Sequence, residues 1–135
     1  MKKATKKTAT EEFDYTSIKT FEDACNRLNI LPSEPDIKLI HAEPLKSMKA
    51  YYRLVIILLA INNGWKPDWN KLNQSKHYPY FWVLSSGFGF GVSLCGCDHS
   101  VTRVGSRLCT DTRDKALYIA EQFKDLYQEY LLYSK

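Results

Sequence analysis

Residues 44–64 read PLKSMKAYYRLVIILLAINNG, and this stretch decides the fold of the chain. Pro44 suits the first turn of a helix and Gly64 suits a left-handed cap after its end, so the stretch predicts one helix between them. From Leu54 to Ile61 every residue is apolar, which is typical of a helix that is covered on several sides. We therefore expect a central helix against which the other elements pack.

Two further helices are predicted, one on each side of this stretch. Thr20 can cap the first helix and Asp23 stands three residues later, a variant of the capping box; Pro32 ends that helix. The last helix is expected to start at Asp111 or Thr112. Its predicted buried face, read from helical spacing, consists of Ala116, Ile119, Ala120, Phe123, Tyr127, Tyr130 and Leu131.

The segment between the second and last helices predicts three strands. Residues 80–84 are apolar throughout, which favours a strand buried on both faces. Residues 88–95 alternate between large and small side chains, and a third strand is expected from about Arg103 to Cys109. The predicted fold class is α+β: a small three-stranded antiparallel meander with helices packed on one face, in the order helix-helix-strand-strand-strand-helix.

The charge of the chain is concentrated at its N-terminus. The 135 residues suit a single domain, and 19 basic residues against 15 acidic ones give a net charge of +4. The excess corresponds to Lys2, Lys3, Lys6 and Lys7, which lie in a stretch without acidic residues. We therefore expect a flexible basic arm over residues 1–15 and a neutral single α+β domain over residues 16–135.

Several classes of protein are disfavoured by composition. The longest apolar run has eight residues, whereas a membrane helix needs about 20, so no membrane association is expected. The N-terminus lacks the apolar segment of a secretory signal, and four cysteines in such a chain are expected to be reduced thiols. No nucleophile triad or acid pair is recognisable, so we expect neither an enzyme nor a cofactor.

The glycines at positions 87, 89 and 91 leave one face of a predicted strand without side chains. A dinucleotide-binding loop needs a helix directly after it, and none is predicted there. The two remaining interpretations are an aromatic ring lying over this face, supplied by Trp82 or Trp65, and a ligand that approaches the backbone.

A candidate set of metal ligands lies nearby in the sequence. Cys95, Cys97 and His99 alternate along one strand face, and a hairpin centred near Thr102 would place Cys109 opposite Cys95. These are zinc-type donors. Alternate side chains on a flat strand stand about 7 Å apart, however, which is too far for one ion without a bend. The favoured interpretation is therefore no metal, with small residues and one His on a strand.

Binding candidates come from aromatic and basic residues. Trp65 and Trp69 flank Pro67 in a loop, where they either cap the core or offer a stacking platform. Arg103 and Arg107 are expected on the face that carries the cysteines. Together with Arg113 and the arm residues Lys2, Lys3, Lys6 and Lys7, they form the predicted anion-binding surface.

Four short motifs carry a family resemblance that spans roughly residues 18–133. They are AYYRL at 50–54, NGWKPDW at 63–69, YPYF at 78–81 and VGSRLC at 104–109. As a set they resemble a family of small uncharacterised proteins in bacteriophages and prophages of gut Bacteroidota. The resemblance implies a phage-encoded protein made in the cytoplasm of a bacterial host, and it supplies no activity or site residue.

The leading hypothesis from sequence is a non-enzymatic phage accessory protein that binds single-stranded nucleic acid. The alternative is a protein–protein interaction module, either a virion component or an inhibitor of a host factor. A third interpretation is a small-molecule or zinc binder. The aromatic content permits a homo-oligomeric interface without requiring one.

Overall fold

The computed structural model describes residues 12–38, 41–84, 87–89 and 95–133. This part of the chain is mixed helix and sheet, broadly α+β, as predicted. Its helices are α1 (Phe21–Leu28), α2 (Glu43–Asn62), α3 (Arg113–Gln122) and α4 (Lys124–Leu131). Its strands are β1 (Lys76–Pro79), β2 (Trp82–Leu84), β3 (Gly87–Gly89) and β4 (Cys95–Asp98).

Helix α2 is the centre of the core, as its apolar run predicted. Leu54, Ile57, Leu58 and Ile61 are all fully buried, and α1 and α4 pack against this helix. The helix ends at Asn63, which adopts the left-handed conformation with φ of 47°, and Gly64 follows with φ of 89°. The predicted left-handed cap is thus formed by two successive residues rather than by Gly64 alone.

The predicted caps of the other helices are present. Thr20 Oγ1 accepts a hydrogen bond from the backbone N–H of Asp23, and Asp23 accepts one from the backbone N–H of Thr20, which completes the capping box of α1. Thr112 caps α3 by accepting from the backbone N–H of Lys115. The last helical stretch is interrupted at Phe123, so it forms α3 and α4 instead of one helix.

The sheet differs from the predicted meander. The described strands form two separate two-stranded antiparallel sheets, β1 with β4 and β2 with β3. In the first, His77 pairs with Cys97, and on its other side His77 forms an isolated bridge with Thr110. Of the strand expected over residues 80–84, residues 82–84 form β2 and pair with β3, whereas Tyr80 and Phe81 lie between β1 and β2 outside any strand.

The third predicted strand, from Arg103 to Cys109, is wrong. This segment is a turn followed by a 3₁₀ helix over Ser106–Leu108. Gly105 has φ of 78°, and its N–H donates to Thr102 Oγ1 at 2.7 Å, so local hydrogen bonds replace a strand ladder here. The next residue that pairs with a strand is Thr110, which bridges to His77 on β1.

The expected burial of the 80–84 run on both faces is also wrong. Trp82 and Val83 are 59% and 61% exposed, and Tyr80 is exposed as well. Phe81 contacts the core instead, with its ring 4.9 Å from that of Tyr127. This run therefore combines one anchored ring with an apolar surface.

The described part of the predicted arm packs on the body. Phe13 and Tyr15 contact the core, and the Tyr15 ring lies 5.5 Å from that of Tyr118 in an edge-on arrangement. The four lysines of the arm lie outside the described residues. Within the described ranges, no helix has both the length and the apolar character that a bilayer crossing requires.

Candidate functional site

A groove lined mainly by aromatic and apolar side chains lies where α2, α4 and the segment after β4 meet. We call it the Tyr130 groove. Its volume is about 470 Å³, within the range common for binding pockets. The described lining residues are Pro35, Ile37, Ser47, Met48, Tyr51, Tyr52, Val55, Val104, Arg107 and Tyr130.

One face of α2 forms the floor of this groove. Met48, Tyr51, Tyr52 and Val55 recur at the spacing that places side chains on the same side of a helix. The Tyr51 ring lies 5.3 Å from the ring of Tyr130 on α4. Packing between two helices therefore holds the aromatic lining in place.

The two helices are also joined by a hydrogen bond at the groove. Ser47 Oγ donates to the backbone carbonyl of Tyr130 at 2.8 Å. This carbonyl lies near the C-terminal end of α4, where backbone carbonyls lack helical partners. The bond satisfies one of them and fixes the end of α4 beside α2.

The opposite wall is residues 102–108, which we call the Val104 segment. Val104 and Arg107 face the groove, and Ser106 between them accepts a hydrogen bond from Trp69 Nε1 at 2.7 Å. Lys76 Nζ lies 5.0 Å from the centroid of the Trp69 ring, a cation–π contact. The indole N–H of Trp69 therefore holds Ser106, and with it the Val104 segment, in place.

A second cavity of about 250 Å³ adjoins the groove, and Val104 and Tyr130 line both. Arg103 lines this smaller cavity, but its guanidinium is paired with Asp98 and also donates to the Tyr78 hydroxyl. Tyr127 contributes to the lining as well. Its hydroxyl is buried without a hydrogen-bond partner in the described residues, and burial raises the pKa of this phenol.

The charge of the Tyr130 groove is positive and comes from one side chain. Arg107 is the charged residue among the described lining residues, and none of them is acidic. Arg107 is exposed and forms no ion pair within the described ranges. By contrast, the nearby cations Lys49 and Arg53 on α2 are both paired with Glu34.

The structure separates the predicted binding residues into several places. Arg103 and Arg107 line the two adjoining cavities, not one sheet face shared with the cysteines, because the strand expected there is a turn. Trp69 is half-buried and supports the Val104 segment, and Trp65 is half-buried at the end of α2. Arg113 is exposed in the first turn of α3.

The four candidate metal donors do not come together. The expected opposition of Cys109 to Cys95 is wrong, because β4 pairs with β1, and Thr110 next to Cys109 lies on the far side of β1. Across the described ranges, no group of three or more His, Cys, Asp or Glu residues is placed to hold a metal ion. His99 instead lies 3.4 Å from the Ser75 hydroxyl through its Nε2.

The cysteines differ in burial, so we expect their thiols to differ in reactivity. Cys97 is exposed, whereas Cys109 is buried, and burial raises the pKa of the Cys109 thiol to about 11. Because the thiolate is the reactive form, maleimide near neutral pH should modify Cys97 long before Cys109. Peptide mapping by mass spectrometry at successive times measures the order. Equal rates in the folded protein would contradict the expectation, and unfolding in urea provides the control in which both should react.

Helical spacing predicted that Tyr130 lies on the buried face of the last helix. In the structure Tyr130 is only half-buried and lines the groove. Met48, Tyr52 and Val55 on α2 also line the groove and were not identified as binding residues from the sequence. Periodicity places such residues on one face of a helix, but it cannot separate a core face from a groove floor.

Comparisons with protein-family models, curated proteins and solved structures found no significant match.

Proposed function

We propose that this chain is a non-enzymatic phage accessory protein that binds another protein through the Tyr130 groove. The observation that carries the proposal is the groove itself, an aromatic and apolar recess with one unpaired guanidinium at its edge among the described residues. Aromatic residues and arginine are the side chains that most often dominate binding energy at protein interfaces. The partner is a host or phage protein inside the infected bacterium.

The lining chemistry favours a protein partner over a nucleic acid. Met48, Val55 and Ile37 supply aliphatic surface, which matches apolar side chains and offers nothing to a phosphate backbone. Arg103, the second arginine near the groove, is already paired with Asp98. A nucleic-acid channel needs several free cations along its length, and the described lining of the groove provides one.

A displayed library of random peptides, selected on the immobilised full chain, tests the proposal. The Met48→Gln variant replaces an apolar groove residue that is 41% exposed, so the fold should tolerate it. Selected peptides should bind this variant about tenfold more weakly, because the apolar contact of the methionine side chain is lost.

Leu59→Gln is the matched control for this experiment. Leu59 is 45% exposed on the same helix but does not line the described groove. Peptide affinity should therefore stay within a factor of about two of the wild-type value. Selected peptides that bind all three proteins equally, or a library from which nothing is enriched, would contradict a groove-based function.

A mobility-shift titration of single-stranded DNA tests the competing nucleic-acid hypothesis. It compares the wild-type chain with a variant in which Lys2, Lys3, Lys6 and Lys7 are all Gln. Under our proposal, any shift at low salt disappears in the variant and at moderate salt, because a nonspecific basic arm accounts for it. A salt-resistant shift that persists without the lysines would favour the nucleic-acid hypothesis.

A further inference from the structure

We infer that the Tyr130 groove selects peptide segments in which an apolar side chain is accompanied by an Asp or Glu, whose carboxylate pairs with Arg107. This inference rests on the proposed function and names the chemistry of the partner. It assigns the apolar anchor to the tyrosine-lined floor and the acidic residue to the rim formed by the Val104 segment.

Charge complementarity favours an acidic residue in the ligand. A described groove whose lining holds a guanidinium and no carboxylate presents a positive potential to any ligand that enters it. Arg107 has no ion-pair partner within the described ranges, so its charge is available to a ligand. A carboxylate is the peptide group that best matches it, because guanidinium and carboxylate can form two parallel hydrogen bonds.

The position of Arg107 in the fold favours a defined contact. It lies in a 3₁₀ turn between Ser106, which is held by Trp69, and Leu108, which is buried in the core. Its backbone is therefore anchored on both sides while its side chain is exposed. A fixed backbone lowers the entropy lost when the side chain binds a ligand, and this favours a specific ion pair over diffuse attraction.

The size and polarity of the recess suit an apolar anchor beside the acidic residue. A volume of about 470 Å³ accommodates one bulky side chain together with the adjoining peptide backbone. Met48 and the tyrosine rings provide an adaptable apolar surface for such an anchor. A basic residue next to the anchor would be repelled by Arg107, and a neutral one would leave its charge unpaired.

The experiment uses three peptide mixtures of equal length that differ at one position. Each mixture carries a fixed Trp and, at the adjoining position, a fixed Asp, Asn or Lys. The other positions are Ala, Ser and Gly, and the ends are acetylated and amidated so that terminal charges are absent. Fluorescence anisotropy on the full chain should give an affinity order of Asp, then Asn, then Lys. At low salt, Asp should exceed Asn by about three- to fivefold, the upper part of the range for a solvent-exposed ion pair.

Substitutions at Arg107 test whether its guanidinium is the group that causes the preference for Asp over Asn. Arg107→Gln should abolish the preference for Asp over Asn, and Arg107→Glu should invert it in favour of Lys. Arg113→Gln removes an exposed arginine that does not line the described groove, so it should leave the preference unchanged. Circular dichroism of each variant checks that the fold is retained.

The outcomes separate this inference from the proposed function. Binding that depends on Met48 but shows no preference for Asp, or a preference that survives Arg107→Gln, overturns the inference and leaves the groove function standing. Absence of binding by all three mixtures and by the displayed library overturns both. Tighter binding of single-stranded DNA than of the Asp mixture, lost in Arg107→Gln, would assign the groove to nucleic acid instead.

Discussion

Replacing Lys76 by methionine is expected to lower the free energy of unfolding by about 3–5 kcal/mol, a large fraction of the stability of a small domain. Lys76 is fully buried, yet its ammonium group has no carboxylate partner within the described ranges. It donates instead to three backbone carbonyls, those of Lys71, Gln74 and His99, at 3.0–3.1 Å. Methionine fills a similar volume but leaves all three carbonyls without this donor.

The Lys76→Met substitution should also disturb the Tyr130 groove. The three carbonyls belong to the loop before β1 and to the turn after β4, so one ammonium group links this loop to this turn. The same group lies over the ring of Trp69, whose indole N–H supports Ser106 in the groove wall. We therefore expect Lys76→Met to weaken peptide binding as well as stability.

Urea unfolding followed by circular dichroism measures the effect, with Lys71→Met as the matched control. Lys71 lies in the same loop, its side chain is exposed, and it contributes only its carbonyl to the contact with Lys76. Its substitution should change the free energy of unfolding by less than about 0.5 kcal/mol. Equal stability of the two variants would show that the buried ammonium is not required.

The importance of Lys76 could not be read from the sequence. Lysine is among the residues least often buried, so a single lysine in the sequence predicts a solvated side chain. Its environment is built from residues 71, 74 and 99, which converge only after β1 and β4 have paired. A site of this kind depends on tertiary geometry and leaves no local pattern.

The helices were predictable because their determinants are local. The bonds between Thr20 and Asp23 and the cap at Thr112 each span three residues, and the apolar run of α2 is continuous. The strands were not predictable in the same way. Residues 82–84 of the expected strand do form β2, but the strand that pairs with β4 is residues 76–79, where Lys76 and Tyr78 are buried. This pairing joins residues about 20 positions apart in the sequence, so no local pattern predicts it.

The candidate site was predictable in part. Arg103 and Arg107 were identified as binding residues, and both line cavities, but the expected strand that was to carry them is a turn. Tyr130 was expected to be buried and instead lines the groove between α2 and α4. The position of a groove depends on how far apart two helices and a loop settle, which helical periodicity does not contain.

The same limit applies to the glycines at positions 87, 89 and 91. Their alternation is visible in the sequence, but the residues that pack against them are not. The sequence left two interpretations for glycines 87, 89 and 91, an aromatic ring from Trp82 or Trp65 over this face and a ligand that approaches the backbone. The residues that pack against those three glycines lie outside what the structure describes. An aromatic ring does lie against a glycine one strand further on, where Tyr78 on β1 faces Gly96 on β4.

Gly96→Ala should therefore be strongly destabilising. A Cβ at this position would lie 2.5 Å from Cε2 of Tyr78 and closer still to Cζ, far inside van der Waals contact. Tyr78 cannot move aside at low cost, because its ring is buried and its hydroxyl accepts a hydrogen bond from Arg103. We expect the free energy of unfolding to fall by about 3 kcal/mol, the upper part of the range for overpacked cores.

Gly64→Ala and a double substitution separate steric overlap from backbone strain. Gly64 has φ of 89°, and no atom lies within 4 Å of the position that a Cβ would take there, so alanine meets strain but no clash and should cost about 1 kcal/mol. In a Tyr78→Ala background, the added cost of Gly96→Ala should largely disappear, because the atoms that the new methyl group would overlap are gone.

Thermal unfolding of the wild-type chain, of Gly96→Ala, of Tyr78→Ala and of the double variant gives the coupling between positions 78 and 96. Additive losses would mean that the tyrosine ring is not what excludes a side chain at position 96, and the close approach of β1 and β4 would then have to rest on the backbone alone.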